Sequence, residues 1–180
     1  MVARWKPVHL GHAAALRALC DAAGEALIGI GSSNRYDVRN PFTAAETADM
    51  IRFVLGRRPG WRLIEVPDLD DGPRWRVMIL DLFGALDVFV TDNAYVASLL
   101  RGDYSIVRPV ELVPPEARVR VDGTMVRRAM ARGGAWRTLV PPEVAGYIDG
   151  NGLEERLRRE FGAETLAAER GEEGGDVLVG

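Results

Sequence analysis

The stretch HAAALRALCDAAGEALIGIG, residues 12–31, changes period halfway along. Up to Gly24 the apolar residues recur at helical spacing, with Leu16, Leu19 and Cys20 on one stripe, and Gly24 ends the pattern. From Ala26, ALIGIG is an unbroken apolar run of strand length, as in a strand covered on both faces. A helix running straight into a buried strand is half of a βαβ unit, and the rest of the chain repeats the alternation. TAAETADMIRFVLGRR (43–58) opens with a capping box, Thr43 with Glu46, and carries Met50, Ile51, Val54 and Leu55 on one face. RLIEVP (62–67) reads as a strand, GPRWRVMILDLFG (72–84) as a helix, DVFVTD (87–92) as a strand and AYVASLLRG (94–102) as a helix. YSIVRPVELV (104–113) reads as a weaker strand, PPEARVRVDG (114–123) as a loop and TMVRRAMARGG (124–134) as a helix before AWRTLV and PPEVAGYI. The expected fold is α/β: a doubly wound parallel sheet of right-handed crossovers with a C-terminal helical segment from about residue 123. One domain is expected over 1–163, with a loose tail over 164–180, where Gly and Glu accumulate.

Composition narrows the function. A net charge of −3 over 180 residues argues against broad nucleic-acid or anionic-membrane binding, so phosphate-binding groups must be local. Cys20 is the single cysteine, which excludes an internal disulfide and suits a reducing, cytoplasmic compartment. No apolar run reaches transmembrane length, and Arg4, Trp5, Lys6 and Pro7 interrupt any signal-peptide pattern. Only Met1, Val2 and Ala3 precede Arg4, too few for a normal first strand, and the expectation is that the natural start lies upstream.

Both histidines of the chain, His9 and His12, stand at the start of the first helix with Gly11 between them. A strand-to-helix corner offers unpaired N–H groups and the positive end of a helix dipole, so it attracts anions. Gly11 lets a phosphate approach, the imidazoles donate hydrogen bonds to it, and Arg4 and Lys6 add charge. The plainer reading makes His9 a turn residue and His12 a helix cap. A second such corner lies in DGTMVRRAM (122–130), where Thr124 and Arg127 share a helix face; its plainer reading is an N-capped helix with solvated arginines. Neither corner has the ligand spacing of a zinc site.

With both corners in view, the chain resembles the nucleotidyltransferase superfamily that carries HxGH and a later S-x-T-x-x-R motif. It is most similar to the archaeal-type nicotinamide-nucleotide adenylyltransferases. ARWKPVHLGH (3–12) is similar to GRFQPFHxGH, IGIGSSNRYDVRNPFTAAET (28–47) to IGIGSxxxxxxxxNPFTxxER, VPDLDDGPRW (66–75) to IPDINNxxxW, and DGTMVRRAM to SGTEIRRRM. WRTLVPPEVAGYI (136–148) matches the segment that follows in that family. The resemblance implies a Rossmann-like fold and transfer of AMP from ATP to nicotinamide mononucleotide (NMN), giving NAD and pyrophosphate. By the family pattern His9, His12 and Arg127 are catalytic. Arg4, Lys6, Gly11, Asn93 and Thr124 join them in holding ATP, and Ser32, Asp68 and Trp75 receive the acceptor. Magnesium rides on the ATP, no metal is held by protein ligands, and homo-oligomers are common in the family. Departures occur at Ala3, Lys6, Thr47, Asp70, Asp71, Gly72 and Asp122. The rival expectations are another phosphorylated acceptor, CTP as donor, or a nucleotide-binding regulatory protein without turnover.

Overall fold

A computed structural model of the chain describes residues 1–175, with side chains to residue 168. Strands β1 (Val2–Ala3), β2 (Ala26–Gly31) and β3 (Trp61–Val66) pair in parallel in that order, with Val2 opposite Gly29 and Ile28 opposite Leu63. Strands β4 (Phe89–Val90) and β5 (Ile106–Val107) form a second parallel pair. Helices α1 (Leu10–Ala22), α2 (Ala44–Leu55), α3 (Gly72–Phe83) and α4 (Ala94–Leu100) are the crossovers between successive strands. A single helical turn, α5 (Pro109–Leu112), follows β5. The chain closes with α6 (Gly123–Ala131), α7 (Pro142–Gly150) and α8 (Leu153–Gly175).

Successive strand residues face opposite sides, and each side has its own core. Ile28 and Ile30 join Leu16, Met50, Ile51, Val126 and Trp136 in the larger cluster, roofed by α1, α2, α6, α7 and α8. Leu27 and Ile64 turn to the other side, where Val66, Ile79, Phe83, Phe89 and Leu100 are buried under α3 and α4. This two-sided covering is why ALIGIG carries no polar residue. Gly29 lies where any Cβ would come within 2.7 Å of Val2 Cγ2 and 3.0 Å of Phe83 Cζ, so its lack of a side chain lets β1 and α3 close on the strand.

Two expectations change. The weak strand YSIVRPVELV holds only two strand residues; Pro109 starts a helical turn, and the Glu111 carboxylate caps it by accepting from the Arg108 N–H at 2.9 Å. The loose tail from Glu164 is corrected at its near end, where α8 continues with Thr165 buried and Leu166 packed on the core. One buried stripe, begun by Leu153 and Leu157, is enough to hold a helix whose other faces are Glu and Arg. Residues 176–180 of that tail lie outside the described residues.

Candidate active site

The loops at the carboxyl ends of the parallel strands converge on one cleft, where open α/β sheets bind ligands. The first loop leaves β1 through Trp5, whose left-handed backbone (φ 56°) turns the indole fully inward to donate to the Gly29 carbonyl at 2.8 Å. His9 then caps α1, its Nδ1 accepting the His12 N–H at 3.3 Å. An accepting Nδ1 leaves the proton of the neutral ring on Nε2. His12 stacks on His9 with ring centroids 3.6 Å apart, and the Trp5 indole meets its edge at 4.8 Å. The buried Nδ1 of His12 makes no hydrogen bond.

Burial dominates the electrostatics here. It pushes His9 down to about 4, with Arg127 adding to the effect and Asp122 opposing it. It holds His12 well below the usual histidine range, the neighbouring His9 adding to that and the Pro7 carbonyl partly offsetting it. Both rings are therefore neutral near pH 7, stacked side by side as hydrogen-bond donors. A Cβ on Gly11 would lie 3.3 Å from the His9 ring and from the Val121 carbonyl, so the absence of a side chain lets these two groups close on the start of α1.

The second corner meets the first through Arg127. Its Nη1 donates to the Lys6 carbonyl at 3.0 Å and its Nη2 to Thr124 Oγ1 at 3.2 Å. Burial, helped by Arg4, lowers its pKa to about 10, and the guanidinium stays charged at neutral pH. Asp122, which replaces the serine of the family motif, caps α6 by accepting the Met125 N–H at 2.8 Å.

Lys6 is a correction. It is 2% exposed and does not line the cleft, its Nζ donating to the Ser32 carbonyl at 2.8 Å. Burial lowers its pKa to about 8, with Asp37 opposing. It supports the loop after β2 instead of reaching a phosphate.

The cleft holds about 840 Å³, within the roughly 300–1,000 Å³ usual for small-molecule sites. Arg4, His9, Gly11 and His12 of the first corner line it, together with Ser32, Asp68, Trp75 and Asn93. Thr124 and Arg127 are not among its lining residues, and Arg127 connects to the corner through the Lys6 carbonyl. The wall that carries Asp68 is built by two loops clasped together. Asn34 Nδ2 donates to the Asp68 carbonyl at 2.9 Å, and the Asp68 N–H returns a bond to Asn34 Oδ1 at 2.8 Å. Arg35 pairs with Asp70, and Asp71 caps α3 by accepting from the Arg74 N–H at 3.0 Å. These contacts account for two of the carboxylates that replace amides in the family pattern. Asn93 is a cap as well: its Oδ1 accepts from Tyr95 and Val96 at 2.9 and 3.2 Å, so only its Nδ2 is free to meet a ligand.

Relatives match this chain over most of its length. A nicotinamide-nucleotide adenylyltransferase of Methanococcus vannielii is 33% identical over 162 residues, covering 87% of this chain and 92% of the relative. One from Pyrococcus furiosus is 34% identical over 164 residues, covering 87% and 85%. The chain belongs to the nicotinamide-nucleotide adenylyltransferase family.

A third such adenylyltransferase, from Methanothrix thermoacetophila, is 32% identical over 160 residues, covering 87% of this chain and 92% of its own. No family model matches. A crystal structure of a bifunctional NMN adenylyltransferase/ADP ribose pyrophosphatase from Francisella tularensis, complexed with AMP and a manganese ion, superposes with a TM-score of 0.68. It is 14% identical over 99% of this chain and 56% of that one, so it bears out the fold alone. Among the described residues of this adenylyltransferase, no group of three or more His, Cys, Asp or Glu could hold a metal, and no helix is long and apolar enough to cross a membrane.

Sequence reasoning missed part of the cleft. Tyr95, Val96 and Leu99 of α4 line it, as do Val110, Val113, Arg118, Val119 and Val121. The alternation in ARVRV was the available signal, since a plain solvated loop has no reason to repeat valine.

Proposed function

We propose that the chain transfers AMP from ATP to NMN, releasing NAD and pyrophosphate. The observation that carries this reading is the joining of two unlike ends in one cleft. One end is a buried corner rich in N–H donors; the other is a wall with the Trp75 indole and polar loop groups. An oxygen of the acceptor phosphate attacks the α-phosphorus of ATP in line, and pyrophosphate leaves. The acceptor oxygen is already an anion, so no general base is required, and positioning with charge stabilisation supplies the catalysis.

In this reading His9 and His12 donate to phosphate oxygens at the start of α1, where the helix dipole adds to them. Arg127 and Arg4 supply fixed positive charge, and Thr124 steadies Arg127. Gly11 admits the triphosphate to the backbone. Trp75 stacks on the pyridine ring, with Ser32 and Asp68 on the polar edge, and Asn93 meets the nucleotide through Nδ2. Magnesium travels with the triphosphate as part of the substrate. Among the described residues no donor cluster stands out as a cage for it, and phosphates with water are its natural ligands. The unpaired Cys20 suits a cytoplasmic setting.

The test is pyrophosphate release with magnesium and ATP, comparing NMN with other phosphorylated acceptors and CTP with ATP. Release with ATP and NMN supports the reading. Release only with another pair reassigns the substrate, and nucleotide binding without any release leaves a regulatory binder.

A further inference from the structure

The loop after β2 runs from Ser32 to Phe42 and carries the clasp on Asp68 and Asp70. Its far end is held by α8, a helix more than a hundred residues later in the chain. Arg156 Nη2 donates to Glu46 Oε2 at 2.7 Å and to the Pro41 carbonyl at 3.0 Å, while Nη1 engages the other Glu46 oxygen. Glu46 also accepts the Thr43 N–H at 2.9 Å, so one carboxylate ties the start of α2 to α8. The hydrogen bonds from Arg156, with that from the Thr43 N–H, hold its acid below the ordinary range against the opposing effect of burial. One turn on, Tyr36 of the loop donates its hydroxyl to Glu160 and meets the edge of Phe161 at 5.2 Å, with the Arg156 guanidinium 5.7 Å over its ring.

We infer that Arg156 and Tyr36 are positioning residues for the acceptor: α8 acts as a strap that sets the loop after β2, and through Asn34 and Arg35 sets the Asp68–Asp71 wall. Neither residue lines the cleft. The strap exists because the Arg156–Glu46 pair is bidentate and only 22% and 18% exposed on its two side chains, so water competes with it weakly. The ATP corner is built from α1, Trp5 and α6; α8 also packs against α6, but the bonds of Arg156 go to Glu46 and Pro41, so a change at this residue falls on the loop.

The kinetic part of this inference rests on the adenylyl-transfer reading above, so the test pairs it with a readout that needs no substrate. Arg156→Gln, Arg156→Lys and Tyr36→Phe are compared with the unaltered chain by hydrogen–deuterium exchange and by steady-state kinetics with ATP and NMN. Arg156→Gln is expected to raise exchange in residues 32–42 and 68–71 but not in α1. It is also expected to raise KM for NMN about tenfold, as loss of a charge-assisted bond does, with KM for ATP within about twofold. Arg156→Lys restores part of both effects, and Tyr36→Phe shows them in smaller degree. Unchanged exchange in 32–42 in every folded variant overturns the strap, as does an equal rise in both KM values. If Arg156→Gln does not fold, Tyr36→Phe decides by the same two measurements. If the unaltered chain shows no turnover with NMN, the substrate reading fails, and the exchange data alone decide the strap.

Discussion

The two ends of the cleft are made in different ways. The histidine corner is buried: His9 caps the helix that carries His12, Trp5 wedges beneath, and the two imidazoles lose their charge to burial. The acceptor wall is exposed and assembled from distant pieces, Asn34 with Asp68, Arg35 with Asp70, and α8 behind them. A local cap and stacked rings preorganise the first end, with Arg127 joining it from far along the chain; side-chain clasps between loops preorganise the second. Catalytic donors gain strength in a water-poor corner, whereas a wall that must admit and release a substrate can be wetter and looser.

The largest break in this contrast should come from the corner. His12→Ala is expected to lower kcat by about 10²-fold or more, as loss of an oxyanion-type donor does, and to lower the thermal midpoint as well, because the ring's contacts with His9 and Trp5 go with it. Unchanged turnover measured by pyrophosphate release would remove His12 from the chemistry. The acceptor wall should respond in binding instead. Trp75→Ala is expected to raise KM for NMN roughly tenfold, the scale of one lost aromatic stacking contact, while KM for ATP stays near its original value. Equal rises would make Trp75 a core residue.

Titration sharpens the comparison further. The folded pKa of His9 lies near 4 against an ordinary 6.5, so between these values the unfolded chain binds the extra proton and the native one does not. Stability should therefore fall as pH drops from about 6.5 towards 4. His9→Gln should flatten that slope in denaturant titrations at a series of pH values; an unaltered slope would mean that His9 is not what burial makes it. The smallest effect belongs to the exposed end. Asp71→Ala removes the cap of α3 and should cost about 1 kcal/mol, read as a lower denaturant midpoint.

What the sequence made legible follows the same division. The end of α1 near Gly24, the Thr43–Glu46 capping box and the cap at Asp122 depend on residues three or four apart, and spacing alone reveals them. The HxGH corner was readable for the same reason. Lys6 was misread because its basic type suggested phosphate, whereas its direction is set by the turn at Trp5 and by the Ser32 carbonyl, 26 residues away. Asn93 was found, but its service as a helix cap was not. The hold of α8 on the loop after β2 had no local signature at all, because Arg156 and Glu46 are 110 residues apart and each looks like an ordinary surface charge.

Lys6 has a bearing on redesign. Its carbonyl receives Arg127 and its ammonium holds Ser32, so a single residue is pinned to both ends of the cleft. A replacement here keeps the main-chain carbonyl that receives Arg127 but removes the ammonium that holds Ser32, so it loosens the loop after β2 and leaves the Arg127 contact in place. On the proposed reading, the surface to adjust for a new acceptor is Trp75 and the open side of Asp68, apart from the histidine corner.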